Sequence, residues 1–81
     1  DLISVVENKK FDVVVANILA DVLLILLNDI SKVVKKDGLI IFSGIIEDKC
    51  EILKKEVEAL GFKVLEIKAD KEWRAMLIKA N

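Results

Sequence analysis

The stretch Phe11-Asp-Val-Val-Val-Ala-Asn17, followed at once by Ile18-Leu-Ala20, decides how this chain folds. Val13 to Ala16 are apolar and mostly β-branched without alternation, which is typical of a central parallel strand covered by helices on both faces. A strongly apolar helix is expected to begin almost immediately after Asn17. Because ligands in open α/β sheets bind where strands end and helices begin, Asn17 is a candidate site residue.

The next segment predicts a helix and a second buried strand. Apolar residues recur at helical spacing from Asp21 to Lys35, and Leu39 to Phe42 form a continuous apolar run. Gly38 lies between them and is expected to end the helix in the left-handed conformation. The first unit of the fold is therefore βαβ.

The second half of the chain predicts one more helix and two strands. Glu47 to Leu60 has helical periodicity and is followed by Gly61, while Phe62 to Lys68 and Trp73 to Lys79 have the composition of strands. Residues 69–72 are too few for a crossover helix, so the last two strands must form an antiparallel hairpin. The predicted fold class is α/β, one truncated three-layer domain over residues 1–81 in the order β-α-β-α-β-β.

Composition excludes several classes of function. The 13 basic and 14 acidic residues leave a net charge of −1 without a block of either sign, so nucleic-acid binding is not expected. The absence of histidine removes imidazole catalysis and the commonest metal ligand, and a single cysteine, Cys50, suits a small buried residue. No metal site is expected.

The chain carries no signature of a membrane or secreted protein. Its longest nearly continuous apolar run, Val22 to Leu27, is too short to cross a bilayer, and no signal peptide opens the chain. We expect a soluble, cytoplasmic protein without a membrane partner. The start at Asp1, without methionine, is interpreted as a cut through a larger domain.

Each candidate site residue has a structural alternative. The Asn17 amide can accept hydrogen bonds from an amine or an adenine edge, or it can simply cap the following helix or turn the chain. Ser43-Gly44 can line the same crevice or serve only loop geometry, and Trp73 can stack on a ligand or a cation or pack in the core or at a sheet edge. The charged residues from Glu47 to Glu58 are interpreted as a solvated helix face.

Three segments together resemble the ribosomal protein L11 methyltransferase family. They are Phe11 to Ala20, Leu39-Ile-Ile-Phe-Ser-Gly-Ile45 and Lys71-Glu-Trp73. The resemblance covers nearly the whole chain and corresponds to the C-terminal half of a Rossmann-like catalytic domain. Members of that family use S-adenosylmethionine to methylate amino groups of a ribosomal protein.

The resemblance implies roles for five residues. Asn17 and the backbone of Ile18 would hold the target amine, Leu19 would wall the site, and Trp73 would border the target. Asp1 resembles an acidic residue near the adenine of the cofactor, which Asn17 would also contact. Such a site needs no strong base, because an amide oxygen and a carbonyl can orient the N–H bonds of a neutral amine.

The chain departs from the family where the cofactor binds. Its three glycines are isolated, so it has no glycine-rich phosphate or cofactor turn. We therefore expect the 81 residues alone to be inactive and to bind S-adenosylmethionine weakly.

Truncation would expose the edge of the first strand, which predicts a homodimer through Val13 to Ala16. The alternative function is a non-catalytic α/β interaction module.

Overall fold

A computed structural model describes residues 11–81 of the chain, which form four strands and two helices. The bounds of the elements, in chain order, are β1 Phe11–Asn17, α1 Ala20–Val33, β2 Val34–Ile46, α2 Glu47–Ala59, β3 Lys63–Asp70 and β4 Trp73–Lys79. The predicted order β-α-β-α-β-β is confirmed. The predicted bounds of β4 are reproduced, whereas β2 begins five residues earlier than the apolar run that predicted it.

The sheet has the strand order β1-β2-β4-β3. β1 and β2 are parallel, whereas β4 runs antiparallel to both β2 and β3. The predicted C-terminal hairpin is confirmed, and its turn consists of Lys71 and Glu72, between the paired residues Asp70 and Trp73. Lys71 has a φ of 56°, the left-handed conformation that such tight turns require.

Both helices pack on the same face of the sheet. The connections β1-α1-β2 and β2-α2-β3 advance in the same direction across the sheet, so crossovers of the same hand place both helices on one side. One core results, from Leu23, Leu27 and Ile30 of α1, Leu53 and Val57 of α2, Ile40, Phe42 and Ile45 of β2, and Met76 and Ile78 of β4. These side chains are almost completely buried.

The other face of the sheet is open within residues 11–81. Val13 and Val15 of β1 are 50% and 66% exposed, and Ile41 and Leu77 line a shallow groove of about 240 Å³. The prediction that helices cover both faces of β1 is therefore wrong for the described residues, as are the three layers. Within residues 11–81, β1 is one of the two edge strands, as the sequence predicted for a truncated domain, and the layers are one sheet and one pair of helices.

The predicted helix stop at Gly38 is also wrong. α1 ends at Val33, Val34 is already extended, and the left-handed residue is Asp37, with a φ of 65°. Gly38 is needed for space instead, because a Cβ there would lie 2.9 Å from the carbonyl oxygens of Asp12 and Lys35. Its role is to let β2 approach β1 closely.

Candidate functional site

A cleft of about 430 Å³ opens at the end of the sheet where β1 and β2 finish. It is lined by Asn17, Ile18, Leu19, Gly44 and Trp73, and we call it the amide cleft. The lining comes from three separate segments: the end of β1 and its loop, the last part of β2, and the start of β4. The structure thus places four sequence-predicted site residues, Asn17, Ile18, Leu19 and Trp73, around one opening.

Asn17 is the polar side chain of the amide cleft, and it does not cap α1. The N-cap residue of α1 is Leu19, which makes no side-chain capping bond and whose carbonyl accepts from the N–H groups of Val22 and Leu23, both at 3.0 Å. The side-chain hydrogen bonds formed among residues 11–81 do not include the Asn17 amide. The structural alternative of a helix cap is therefore wrong.

Gly44 gives Asn17 the room for its observed rotamer. A Cβ at Gly44 would collide with the amide oxygen of Asn17, and the φ of Gly44, 73°, is in the left-handed region. Ser43 and Gly44 form a bulge, because the pairing of β2 with β4 shifts between Phe42 and Ile45. Gly44 therefore serves both alternatives that the sequence left open, since it shapes the strand and lines the crevice.

The walls of the amide cleft are apolar and accessible. Trp73 is 45% exposed and Leu19 is 69% exposed, while Ile18 is at the border of exposure. The apolar surface continues along the outer side of α1 through Val22 and Ile25, which are also exposed. This arrangement suits a ligand with an apolar stem and one small polar group that reaches Asn17.

Charged side chains surround the sheet end in pairs. Lys49 Nζ lies 3.4 Å from Asp21 Oδ1, joining the first turns of the two helices. Arg74 donates from Nη2 to Glu47 Oε2 at 2.6 Å. The interpretation of Glu47 as part of a solvated face is therefore incomplete, because its carboxylate binds Arg74, which is mostly buried.

Cys50 is a core residue of α2 and not a reactive group. It is 7% exposed. Burial, with a smaller contribution from the Glu51 carboxylate, raises the pKa of the Cys50 thiol against the opposing effects of Arg74 and Lys54. A thiol of this kind is protonated at neutral pH and is a poor nucleophile.

Neither a metal site nor a membrane-spanning helix is found among residues 11–81. Residues 11–81 hold no group of three or more cysteine, aspartate or glutamate side chains arranged for a metal ion. No helix in this part of the chain has the length and apolar character needed to span a bilayer. Asp1, expected near the adenine of a cofactor, lies outside the described residues.

Comparison with known proteins identifies the family. The family model described as Ribosomal protein L11 methyltransferase (PrmA) matches residues 2–81. The chain belongs to this family. The resemblance drawn from the three segments around Asn17, Gly44 and Trp73 is confirmed.

Relatives and solved structures agree with this assignment. A ribosomal protein L11 methyltransferase of Fusobacterium nucleatum is 52% identical over 79 residues, 98% of this chain and 25% of the relative. One of Thermotoga petrophila is 40% identical over the whole chain and 30% of the relative. The chain thus spans about a quarter to a third of the length of these methyltransferases.

The fold comparison confirms a Rossmann-like methyltransferase sheet. A ribosomal protein L11 methylase from Lactobacillus delbrueckii subsp. bulgaricus superimposes with a TM-score of 0.85 at 29% identity, over 91% of this chain and 39% of that one. The M1.HpyAVI-SAM complex superimposes with a TM-score of 0.75 over 93% of this chain and 47% of that one, at 13% identity. At that identity, the second likeness shows the fold alone.

Sequence reasoning missed the partners of two residues, Gly44 and Arg74. The contact of Gly44 with Asn17 depends on the bulge in β2, whose presence at Ser43-Gly44 the local sequence does not reveal. The Glu47–Arg74 pair joins residues 27 positions apart. The available signal was the predicted hairpin, which places Arg74 just after the turn.

Proposed function

We propose that the amide cleft holds the target amino group in an S-adenosylmethionine-dependent methyltransferase that acts on a ribosomal protein. The observation that carries the proposal is the meeting of Asn17, Ile18, Leu19, Gly44 and Trp73 at one opening beside the end of β1. An amide with no partner among residues 11–81, set between apolar walls, suits an amine on an aliphatic stem.

In this proposal, each lining residue has a distinct task. The Asn17 side-chain oxygen and the carbonyl oxygen of Ile18 accept hydrogen bonds from the two N–H groups of a neutral amine. These bonds fix the direction of the nitrogen lone pair. Leu19 and Trp73 exclude water, and an apolar environment favours the neutral amine over the ammonium form. Gly44 keeps the Asn17 amide in place, because any Cβ there would displace it.

The cofactor would supply the methyl group, and residues 11–81 do not fit the whole of it. They contain no glycine-rich turn: Gly38 is packed against backbone carbonyls and Gly44 against Asn17. We propose that Asn17 also borders the cofactor and that Asp1 lies near its adenine. The 81 residues alone are then inactive and bind S-adenosylmethionine weakly, so a low-micromolar dissociation constant in calorimetry contradicts this part.

A chimaera tests the assignment of the amide cleft. The 81 residues replace the matching segment of the Fusobacterium nucleatum methyltransferase, and methyl transfer to ribosomal protein L11 is measured with Asn17→Ala. Misplacing a reacting group by about 1 Å costs about 100-fold, so kcat/KM is expected to fall at least about 100-fold. The matched control is Asn28→Ala, which removes an exposed amide from α1.

The two variants separate the possible outcomes. A large loss with Asn17→Ala and wild-type activity with Asn28→Ala support the amide cleft as the amine site. Unchanged activity in the Asn17→Ala chimaera overturns the proposal. Equal losses in both variants, with equal losses in stability, also contradict a special role for Asn17.

We further propose that the isolated chain forms a homodimer through the edge of β1. The two edges of the sheet differ in charge: β1 carries Asp12 alone, whereas β3 carries four charged side chains, Lys63, Glu66, Lys68 and Asp70. Charged residues protect an edge strand from pairing, and an apolar valine run invites it. The proposal therefore commits to β1 and not to β3.

Light scattering after gel filtration tests the dimer. Val15→Lys is expected to convert the dimer to a monomer, because a charge in the valine run opposes close pairing. The matched control is Leu65→Lys on β3, where the wild-type side chain is 45% exposed and the dimer is expected to persist. A folded wild-type monomer at high concentration contradicts the proposal.

A further inference from the structure

The turn between β3 and β4 is fastened to the start of α2 by a single pair of side chains. Arg74 Nη1 donates to the carbonyl of Lys71 at 2.8 Å and to the carbonyl of Trp73 at 2.9 Å. Arg74 Nη2 donates to Glu47 Oε2 at 2.6 Å. The carbonyl between them, that of Glu72, accepts the backbone N–H of Glu47 at 2.8 Å.

Three consecutive carbonyls are therefore held by two residues. The carbonyls of Lys71 and Trp73 accept hydrogen bonds from the Arg74 guanidinium, and the carbonyl of Glu72 accepts the first N–H of α2. The turn therefore cannot move without breaking charge-assisted hydrogen bonds. A planar guanidinium can serve these acceptors at once, whereas a lysine ammonium is a single point charge on a flexible stem. The contacts require arginine and not simply a cation.

The held segment carries a wall of the amide cleft. Trp73 pairs with Ile46, the residue before α2, and lines the amide cleft together with Asn17. Arg74 pairs with Ile45, which is completely buried, so the guanidinium lies on the helix side of the sheet, away from the amide cleft. Arg74 thus acts on the amide cleft through the backbone of Trp73, without lining it.

We propose that Arg74 is a positioning residue that fixes the indole of Trp73 as the wall of the amide cleft. The consequence for amine binding rests on the proposed function, whereas the fixing of Trp73 does not. Glu47 supports this role because its carboxylate accepts a hydrogen bond from Arg74 Nη2 and so orients the guanidinium. Arg74 touches neither a substrate nor a reacting atom in this role.

Trp73 is the only tryptophan of the chain, so its fluorescence reports on the wall directly. Quenching by acrylamide is measured for wild type, Arg74→Ala, Arg74→Lys and Glu47→Ala. Release of the turn is expected to raise the quenching constant about twofold in Arg74→Ala, since the indole goes from 45% exposure toward full exposure. The quenching constant is expected to rise nearly as much in Arg74→Lys. It is expected to rise less in Glu47→Ala, because that variant keeps both hydrogen bonds from Arg74 to the turn carbonyls.

The matched control is Lys49→Ala, which breaks the other ion pair at the same end of α2 without touching the turn. Its quenching constant is expected to equal that of wild type. Circular dichroism establishes that each variant is folded, and Glu47→Ala keeps the test available if Arg74→Ala does not fold. An unchanged constant in Arg74→Ala overturns the proposal, as does full rescue by Arg74→Lys, and neither result depends on methyl transfer.

Discussion

The two faces of the sheet carry apolar side chains of the same kind in opposite surroundings. Ile40 and Phe42 point into the helix-covered face and are completely buried, whereas Ile41, between them, points to the open face and is half-buried. Val13 and Val15 also lie on the open face. An apolar run therefore indicates which residues can be buried, whereas their actual burial depends on which elements pack against that face of the sheet.

The open face has the composition of a surface made to be covered. Its groove is lined by Ile41, Ala75, Met76 and Leu77, with charges only from Glu66 and Lys68 of β3. Burying apolar surface is worth about 25 cal/mol per Å², so the accessible area of Val13, Val15 and Ile41 forgoes stability that the helix-covered face receives. Most of the stabilisation from apolar burial in residues 11–81 therefore comes from the helix-covered face.

The sharpest test of this difference uses two adjacent isoleucines. Ile40→Ala is expected to lower the free energy of unfolding by about 2–5 kcal/mol, because it leaves a cavity in the core. Ile41→Ala is expected to cost about 1 kcal/mol or less, because the side chain contacts only one layer. Urea denaturation followed by circular dichroism measures both.

The loss in Ile40→Ala is large beside the total stability of roughly 4–12 kcal/mol that 81 residues provide. If that variant is unfolded in water, Ile40→Val serves instead, with an expected cost of about 0.5–1.5 kcal/mol. Equal losses of stability for Ile40→Ala and Ile41→Ala would show that the open face is covered in solution, which contradicts the difference between the two faces.

A medium effect is expected at the bulge, where β2 resets its alternation between the two faces. Gly44→Ala and Gly61→Ala both force alanine into the left-handed region, at a cost of about 1–2 kcal/mol each. A Cβ at Gly61 meets nothing within 4 Å, whereas a Cβ at Gly44 collides with the Asn17 amide oxygen. Gly61→Ala therefore measures the strain alone.

The position of the Asn17 amide distinguishes the two variants. The chain contains no glutamine, so asparagines are the only source of side-chain NH2 signals in an NMR spectrum. The Asn17 signal is expected to shift in Gly44→Ala and to stay in place in Gly61→Ala. Identical Asn17 signals in both would show that Gly44 serves the strand alone and leaves the amide cleft unshaped.

The smallest expected effect concerns the ionisation of Cys50 on the covered face. Burial raises the pKa of its thiol, so folding favours the protonated form. This contribution is fully present below the ordinary thiol pKa of about 8.5 and is lost as the pH rises through the higher folded-state value. Between these values, the free energy of unfolding should fall more steeply for wild type than for Cys50→Ala.

Denaturant midpoints at several pH values, measured for both proteins, check the effect. Parallel curves would show that water reaches the thiol, and that the covered face is looser at α2 than its burial indicates. A thiol reagent at neutral pH gives an independent reading, since Cys50 is expected to react only when the chain unfolds.

Much of the candidate site was predictable, because strand ends are marked in the sequence. Asn17 stands out as the polar residue that closes a valine run, and the four residues before Trp73 leave space only for a hairpin. Those two features place Asn17 and Trp73 at ends of strands. Their meeting in one cleft required the strand order, which sets β4 next to β2 and not next to β1.

Other features were not predictable from neighbours along the chain. The left-handed residue after α1 is Asp37 and not Gly38, and position 38 needs glycine because β1 approaches it too closely for a Cβ. The bond between Arg74 and Glu47 joins elements that local propensity treats separately. Each of these depends on a backbone that is distant in sequence.

The type and order of the elements, the C-terminal hairpin and the family follow from the sequence alone, because periodicity, turn length and motif are properties of neighbouring residues. Only the tertiary structure decided which face of the sheet is covered, where Asn17 points and what holds Trp73. The physical reason is that burial, steric fit and hydrogen-bond geometry are set by atoms brought together from distant parts of the chain.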